Sequence, residues 1–259
     1  MDDYEFRSAD ICRRLLSARA RNITFSTAPK SALVVAPHPD DETFGCGSTI
    51  ARKTAAGSRV SVCVVSEGDA FPSDEMSPEE IVAMRRTNFG EACNVLGIRA
   101  DDVWRLEFPD RGLTDNVAGI AGAISDVIER VQPDEVFLPT RHDLHPDHKA
   151  VNRAVFDAVD RSGTRAALYA YPVWFWSRDT WTPPHASRAA ELASRLRLLA
   201  AGLTLRAARV DAGPFFESKR RAMACYEWEL APDRAFFEQW SLRTEELFFA
   251  AGPATRNRP

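Results

Sequence analysis

The sequence has no Cys-x-x-Cys pair. Its five cysteines, Cys12, Cys46, Cys63, Cys93 and Cys225, are odd in number and scattered. That speaks against a disulfide framework and against a thiolate zinc site. It suits free thiols in a reducing compartment, so a cytoplasmic protein is expected. No apolar run approaches the roughly 20 residues that span a bilayer, so no membrane span is expected. The acids Asp2, Asp3, Glu5 and Asp10 read as neither a signal nor a transit peptide. A basic tract is also missing. With 33 Lys and Arg against 37 Asp and Glu the net charge is -4, which argues against nucleic acid or an anionic membrane as partner. Repeats, low-complexity segments and a convincing linker are absent too.

What remains is an ordinary globular mix: 259 residues, 45% hydrophobic and 27% charged. A chain of this size buries roughly 70–75% of its unfolded surface and needs no staples. The first twenty residues read as a helix, with Ile11, Leu15 and Ala18 on one face. Short apolar runs then alternate with helical stretches. Strands are expected at Ala32–Ala36, Val60–Val65, Val103–Leu106, Glu135–Leu138 and Ala167–Tyr171. Helices are expected at Gly45–Ala56, Pro78–Leu96, Asn116–Val131 and Pro146–Val159. Ser77-Pro78-Glu79-Glu80 marks a helix start, and Gly97 its end. This alternation predicts an α/β fold: a Rossmann-like, mostly parallel sheet with helices on both faces. Beyond Pro172 the pattern weakens. Ser187–Ala201 and Phe215–Glu229 read as helical, Leu203–Val210 as extended, Phe236–Phe249 as a last helix and Gly252–Pro259 as a frayed tail. One domain over 1–259 is expected, with a core at about 31–171 and a C-terminal elaboration at 172–259.

Two clusters carry chemistry, each directly after an expected strand. The first is Pro37-His38-Pro39-Asp40-Asp41-Glu42, and the second is His142-Asp143-Leu144-His145-Pro146-Asp147-His148. In an open parallel sheet, ligands sit at the carboxyl ends of strands where the strand order reverses, and the first and fourth strands flank that reversal. The clusters can therefore meet. Imidazole and carboxylate together suit zinc or a similar divalent ion. His38, Asp41 and His148 supply a His2Asp set that leaves a position open for water. Asp40 is then free to act as general base. His145, one turn from His148, could as a cation stabilise an oxyanion and protonate a leaving amine, with Asp147 as its partner. Glu42 reads as a supporting residue rather than a ligand, His142 as exposed loop, and Cys46 as a small buried residue at a helix start.

At these residues the sequence resembles the zinc-dependent N-acetylglucosaminyl deacetylases called PIG-L or LmbE-like, whose signatures (A/P)-H-P-D-D-E and H-x-D-H stand here at Pro37–Glu42 and His145–His148. The resemblance runs from about Ser31 to Ala150 and continues weakly to Lys219–Tyr226. It implies the same roles: His38, Asp41 and His148 on the metal, Asp40 as base, His145 as acid or oxyanion stabiliser with Asp147. It further implies Arg85 as a substrate contact and Asp110, in Phe108-Pro109-Asp110-Arg111-Gly112-Leu113, as a residue for sugar hydroxyls. Asn88 stands where the family usually has Glu, which puts the local ion pairing in question.

The expected activity is a zinc amidohydrolase, or one using another divalent ion, that removes the acetyl group from an N-acetylglucosamine unit of a small-molecule amino-sugar conjugate. One alternative is a different amide, such as a thiol–sugar conjugate or an acylated antibiotic precursor. The other is a sugar- or nucleotide-binding module without turnover. That second alternative would need a glycine-rich phosphate loop where Asp40 and Asp41 stand, and two adjacent carboxylates repel a pyrophosphate. The stretch Tyr171-Pro172-Val173-Trp174-Phe175-Trp176 reads as core or subunit interface before it reads as pocket. A homo-oligomer is therefore left open.

Overall fold

In the computed structural model the described residues are 3–251, except 72, 74–75, 183–184 and 228–232. They build one eight-stranded sheet from β1 (Arg21–Asn22), β2 (Ala32–Ala36), β3 (Val60–Ser66), β4 (Val103–Phe108), β5 (Glu135–Pro139), β6 (Ala167–Tyr171), β7 (Ala207–Asp211) and β8 (Glu245–Ala250). The order across the sheet is β1-β7-β8-β6-β5-β2-β3-β4. All pairings are parallel except those of β8, which runs antiparallel to both β6 and β7. The fold class is the expected one. Strand β2 lies fully buried between β3 and β5, with Ala32 opposite Val60 on one side and Glu135 on the other. The sheet order reverses at this β5/β2 seam.

The core has two halves because alternate strand residues face opposite sides. Leu33 and Val35 join the half beneath α1 (Asp3–Arg19), α5 (Val117–Val131), α6 (Pro146–Ser162) and α7 (Arg188–Thr204). Ala32 and Val34 join the half beneath α3 (Asp41–Ala55), α4 (Pro78–Val95), α8 (Phe216–Ala224) and α9 (Arg234–Ser241). A four-residue turn, α2 (Thr24–Thr27), precedes β2. Helix α4 begins as its sequence dictates. Ser77 accepts from the Glu80 amide, Glu80 returns the bond to the Ser77 amide, and Pro78 occupies the first turn. The stretch from Tyr171 is core: Tyr171, Phe175 and Trp176 are buried, and the Tyr171 hydroxyl donates to the Val35 carbonyl at 2.8 Å.

Three expectations need correction. Helix α3 starts at Asp41, not Gly45, because the Asp40 carbonyl already accepts the amides of Thr43 and Phe44. Asp41 and Glu42 of the first cluster thus lie in the first turn of the helix. Residues 203–204 end helix α7 instead of starting a strand. The segment expected as a last helix, Phe236–Phe249, splits into the end of α9 and strand β8. Leu247, Phe248 and Phe249 are all buried, with Phe248 in one half of the core and its neighbours in the other. A short run buried on both faces has no strand periodicity to read. The end of the expected Phe215–Glu229 helix and the Gly252–Pro259 tail lie outside the described residues. No helix among the described residues is long and apolar enough to cross a membrane.

Candidate active site

Parallel pairing of β2 with β5 brings the two following loops to one crevice. The turn after β2 delivers His38 and Asp40, and the first turn of α3 delivers Asp41. The loop after β5 delivers Asp143, and the start of α6 delivers His145, Asp147 and His148. The three imidazoles cluster, with ring centroids 5.1 Å (His38–His145), 5.3 Å (His145–His148) and 5.8 Å (His38–His148) apart.

His38, Asp41 and His148 converge through single atoms. Asp41 Oδ2 lies 3.4 Å from His38 Nδ1 and 3.3 Å from His148 Nε2. Ligands about 2.0–2.1 Å from a tetrahedral ion stand ~3.3–3.4 Å from one another, so these separations match the edges of a zinc-like tetrahedron. The far nitrogen of each histidine meets a carboxylate. His148 Nδ1 is 2.9 Å from Asp143 Oδ2, and His38 Nε2 is 3.1 Å from Asp110 Oδ1 and 3.4 Å from Asp147 Oδ2. Carboxylates in these places fix the ring orientation of metal-bound histidines. The donor set fits a divalent ion. Burial alone would raise the Asp41 carboxyl, but the two imidazoles overcome it and hold Asp41 far below the usual carboxylate range. Burial likewise works against His148, yet Asp41 and Asp143 push it up to about 9. Three charged groups thus crowd where an ion would replace two protons.

Asp40 sits beside this set with an unusual backbone, φ 124° and ψ −35°. An L-residue there carries strain of about 1–3 kcal/mol and persists only where its surroundings hold it. Burial drives its carboxyl well above the ordinary value, opposed chiefly by Arg85. Arg85 is itself buried, 3% exposed, and donates one NH2 group to the Pro39 carbonyl at 2.8 Å and to Asp40 Oδ2 at 3.2 Å. The guanidinium expected at the substrate thus bonds Asp40 and the Pro39 carbonyl. Around Asn88, ion pairing runs through other acids: Arg86 to Glu67 and Glu107, and Arg105 to Glu67.

His145 caps α6, its Nδ1 accepting the Asp147 amide at 3.3 Å. The proton of the neutral ring is then on Nε2. Burial first, then the neighbouring imidazoles, lower His145 to about 4, which favours a neutral donor over the expected cation. The Asp147 carboxylate accepts the Arg111 amide at 2.9 Å and faces His38, while its backbone amide donates to His145. Asp110 accepts the amides of Arg111 and Ala70 as well as meeting His38. His142, expected as exposed loop, is half-buried against Phe175 and Phe249, and burial lowers it to about 4. Cys46 is buried as expected, and the five cysteines are free. Asp143 has no motif of its own in the sequence, but a histidine ligand commonly pairs its other nitrogen with a carboxylate, and this one stands five residues away.

Residues 33–159 match the model of the PIG-L family, described as GlcNAc-PI de-N-acetylase. A Bacillus cereus protein named "Probable N-acetyl-alpha-D-glucosaminyl L-malate deacetylase 2" is 34% identical over 51% of this chain and 62% of its own length. The diacetylchitobiose deacetylase of Thermococcus kodakarensis is 28% identical over 52% of this chain and 51% of its own. The matches thus span about half to three-fifths of these relatives. The solved structure of GalB, the 4-carboxy-2-hydroxymuconate hydratase of Pseudomonas putida KT2440, covers 89% of this chain and 100% of that one, with TM-score 0.55 and 20% identity. That likeness shows the fold, and a fold shared with a hydratase does not fix the reaction. The family assignment rests instead on the matched stretch, inside which both sequence signatures meet at the β2/β5 seam: residues 33–159 belong to the PIG-L, or LmbE-like, family.

Proposed function

We propose that the protein hydrolyses the acetamide of an N-acetylglucosamine unit in a small conjugate, giving acetate and a free amine. The observation that carries this reading is the convergence of His38, Asp41 and His148 on one point, with Asp40 and the Nε2–H of His145 beside it. The names of the two relatives supply the substrate class. We read the resident ion as zinc. When bound, it would supply a Lewis acid for the acyl carbonyl and lower the pKa of a coordinated water to about 7.

The side chains do the rest. Asp40 takes the proton of the attacking water as the new C–O bond forms. Arg85 favours the ionised form of Asp40, while burial, the larger influence, makes Asp40 a stronger base than an exposed carboxylate. The Nε2–H of neutral His145 donates to the developing oxyanion, a hydrogen bond rather than an ion pair. As the C–N bond breaks, Asp40 returns its proton to the leaving nitrogen. Asp110 and Asp147 hold His38, and Asp143 holds His148. Arg85 and Asp110 are assigned here to orienting the site; the sugar contacts the family implies for them would be additional. Five free cysteines, four of them buried, support a reducing cytoplasmic setting.

The test is mass spectrometry on a panel of N-acetylglucosamine conjugates, with zinc-loaded protein and a chelated control. Metal-dependent loss of acetyl from one member is expected. Bound metal without any acetyl loss would move the substrate to another amide, and no bound metal would overturn the site.

A further inference from the structure

The first turn of α3 is gripped from far along the chain, beyond the family-matched stretch. Glu42 is fully buried. Its Oε2 accepts the backbone amide of Asp40 at 3.0 Å, and its Oε1 accepts the hydroxyls of Thr43 at 2.5 Å and Tyr226 at 2.9 Å. Tyr226 follows α8, lies 184 residues away in sequence, and is fully buried. The same helix sends Lys219 to the Phe44 carbonyl at 2.8 Å and to Glu246 at 2.7 Å. Glu246, on β8, accepts the amides of Ser48 and Thr49. A glycine makes this approach possible: a Cβ on Gly47 would fall 2.8 Å from the Lys219 side chain.

These contacts bear on the strained residue. Asp40 has a left-handed φ that an aspartate adopts only under constraint, and the amide that constrains it is held by Glu42. Tyr226 in turn fixes the other oxygen of that carboxylate. We propose that Glu42 and Tyr226 are positioning residues for Asp40, so that the C-terminal helix sets the geometry of a base encoded near the other end of the chain. The assignment of Asp40 as base rests on the function proposed above. The backbone constraint does not.

Tyr226→Phe removes one hydroxyl and leaves the ring. We expect kcat to fall ~10-fold, with KM within about 2-fold and zinc per chain unchanged, at the low end of the effect of losing an orienting partner. Glu42→Ala removes the acceptor itself and should lower kcat ~100-fold, while Glu42→Gln, which keeps one oxygen for the Asp40 amide, should recover part of it. Deuterium uptake of the fragment 38–44 should rise in Tyr226→Phe and more in Glu42→Ala. A purely structural role would lower Tm and leave kcat and uptake at 38–44 unchanged; that result in Tyr226→Phe overturns the proposal, whether or not Glu42→Ala folds. A fall in kcat that tracks lost zinc would overturn it too, since the action would then be through the ligands. Should the wild type hydrolyse no amide, the proposed reaction fails, and deuterium uptake still decides whether Glu42 and Tyr226 hold residue 40.

Discussion

The β2/β5 pair carries a buried charge cluster at each end, and the two are built oppositely. At the amino end, the ammonium of Lys53 donates to Thr27 O at 2.6 Å, Lys30 O at 3.0 Å and Glu135 Oε2 at 2.7 Å, filling all three of its N–H bonds. Glu135 also takes the Thr27 hydroxyl, and Lys30 at 3.4 Å. That cluster is closed. At the carboxyl end, Asp40, Asp41, Asp110, Asp143 and Asp147 face Arg85 and three imidazoles, one of them held neutral. Acids outnumber cations there, and three donor atoms share one point. A satisfied cluster stabilises a fold; a cluster short of positive charge is prepared for an ion.

The contrast can be broken from either end. The largest effect should come from Asp40→Asn, with turnover down about 1,000-fold, within the usual range for a general base, and metal content near that of the wild type. Unchanged turnover would remove Asp40 from the chemistry. At the closed end, Lys53→Met strips one partner from a buried pair and should cost about 3–5 kcal/mol in stability. Calorimetry should show the lower Tm, while kcat and zinc binding hold. A loss of zinc in that variant would mean the two ends are not independent. Asp143→Asn should weaken metal affinity ~10–100-fold by freeing the His148 ring, read by competition with a chromophoric chelator; wild-type affinity would make Asp143 a bystander.

The smallest effect sharpens the comparison through pH. His148 titrates at about 9 in the metal-free protein, against an ordinary value of 6.5. Its folded pKa is raised, so the protonated ring's contribution is fully present below pH 6.5 and is lost as pH rises through about 9. The metal-free protein should therefore lose Tm across that window. With zinc bound the ring carries no proton, and the slope should flatten. Equal slopes with and without zinc would count against His148 as a ligand.

The open end was legible in the sequence because each cluster directly follows a strand, and the strand-end rule joins them. His38, Asp41, His148 and Asp40 all emerge where that reasoning placed them. The partners of these residues were not legible. Asp110 meets His38 across 72 residues and Tyr226 meets Glu42 across 184, and no local pattern announces a contact at such separations. The strain at Asp40 was hidden as well, since a positive φ at an aspartate has no signature in the residues around it. Strand β8 was hidden because a doubly buried Leu-Phe-Phe run looks the same in a helix and in a strand.

That last strand has a consequence for how the chain reaches its native state. Among the described residues, β7 and β1 join the other strands only through β8. As the chain emerges from the ribosome, β2 to β6 can pair in turn, but β1 must wait for partners made more than 180 residues later. Until residues 245–250 arrive, β6 has an open edge, and such an edge is where a nascent chain is prone to mispair. Closure of the sheet and the Glu246 grip on α3 then come with the same segment, so the turn that carries Asp40 should be among the last parts of the molecule to settle.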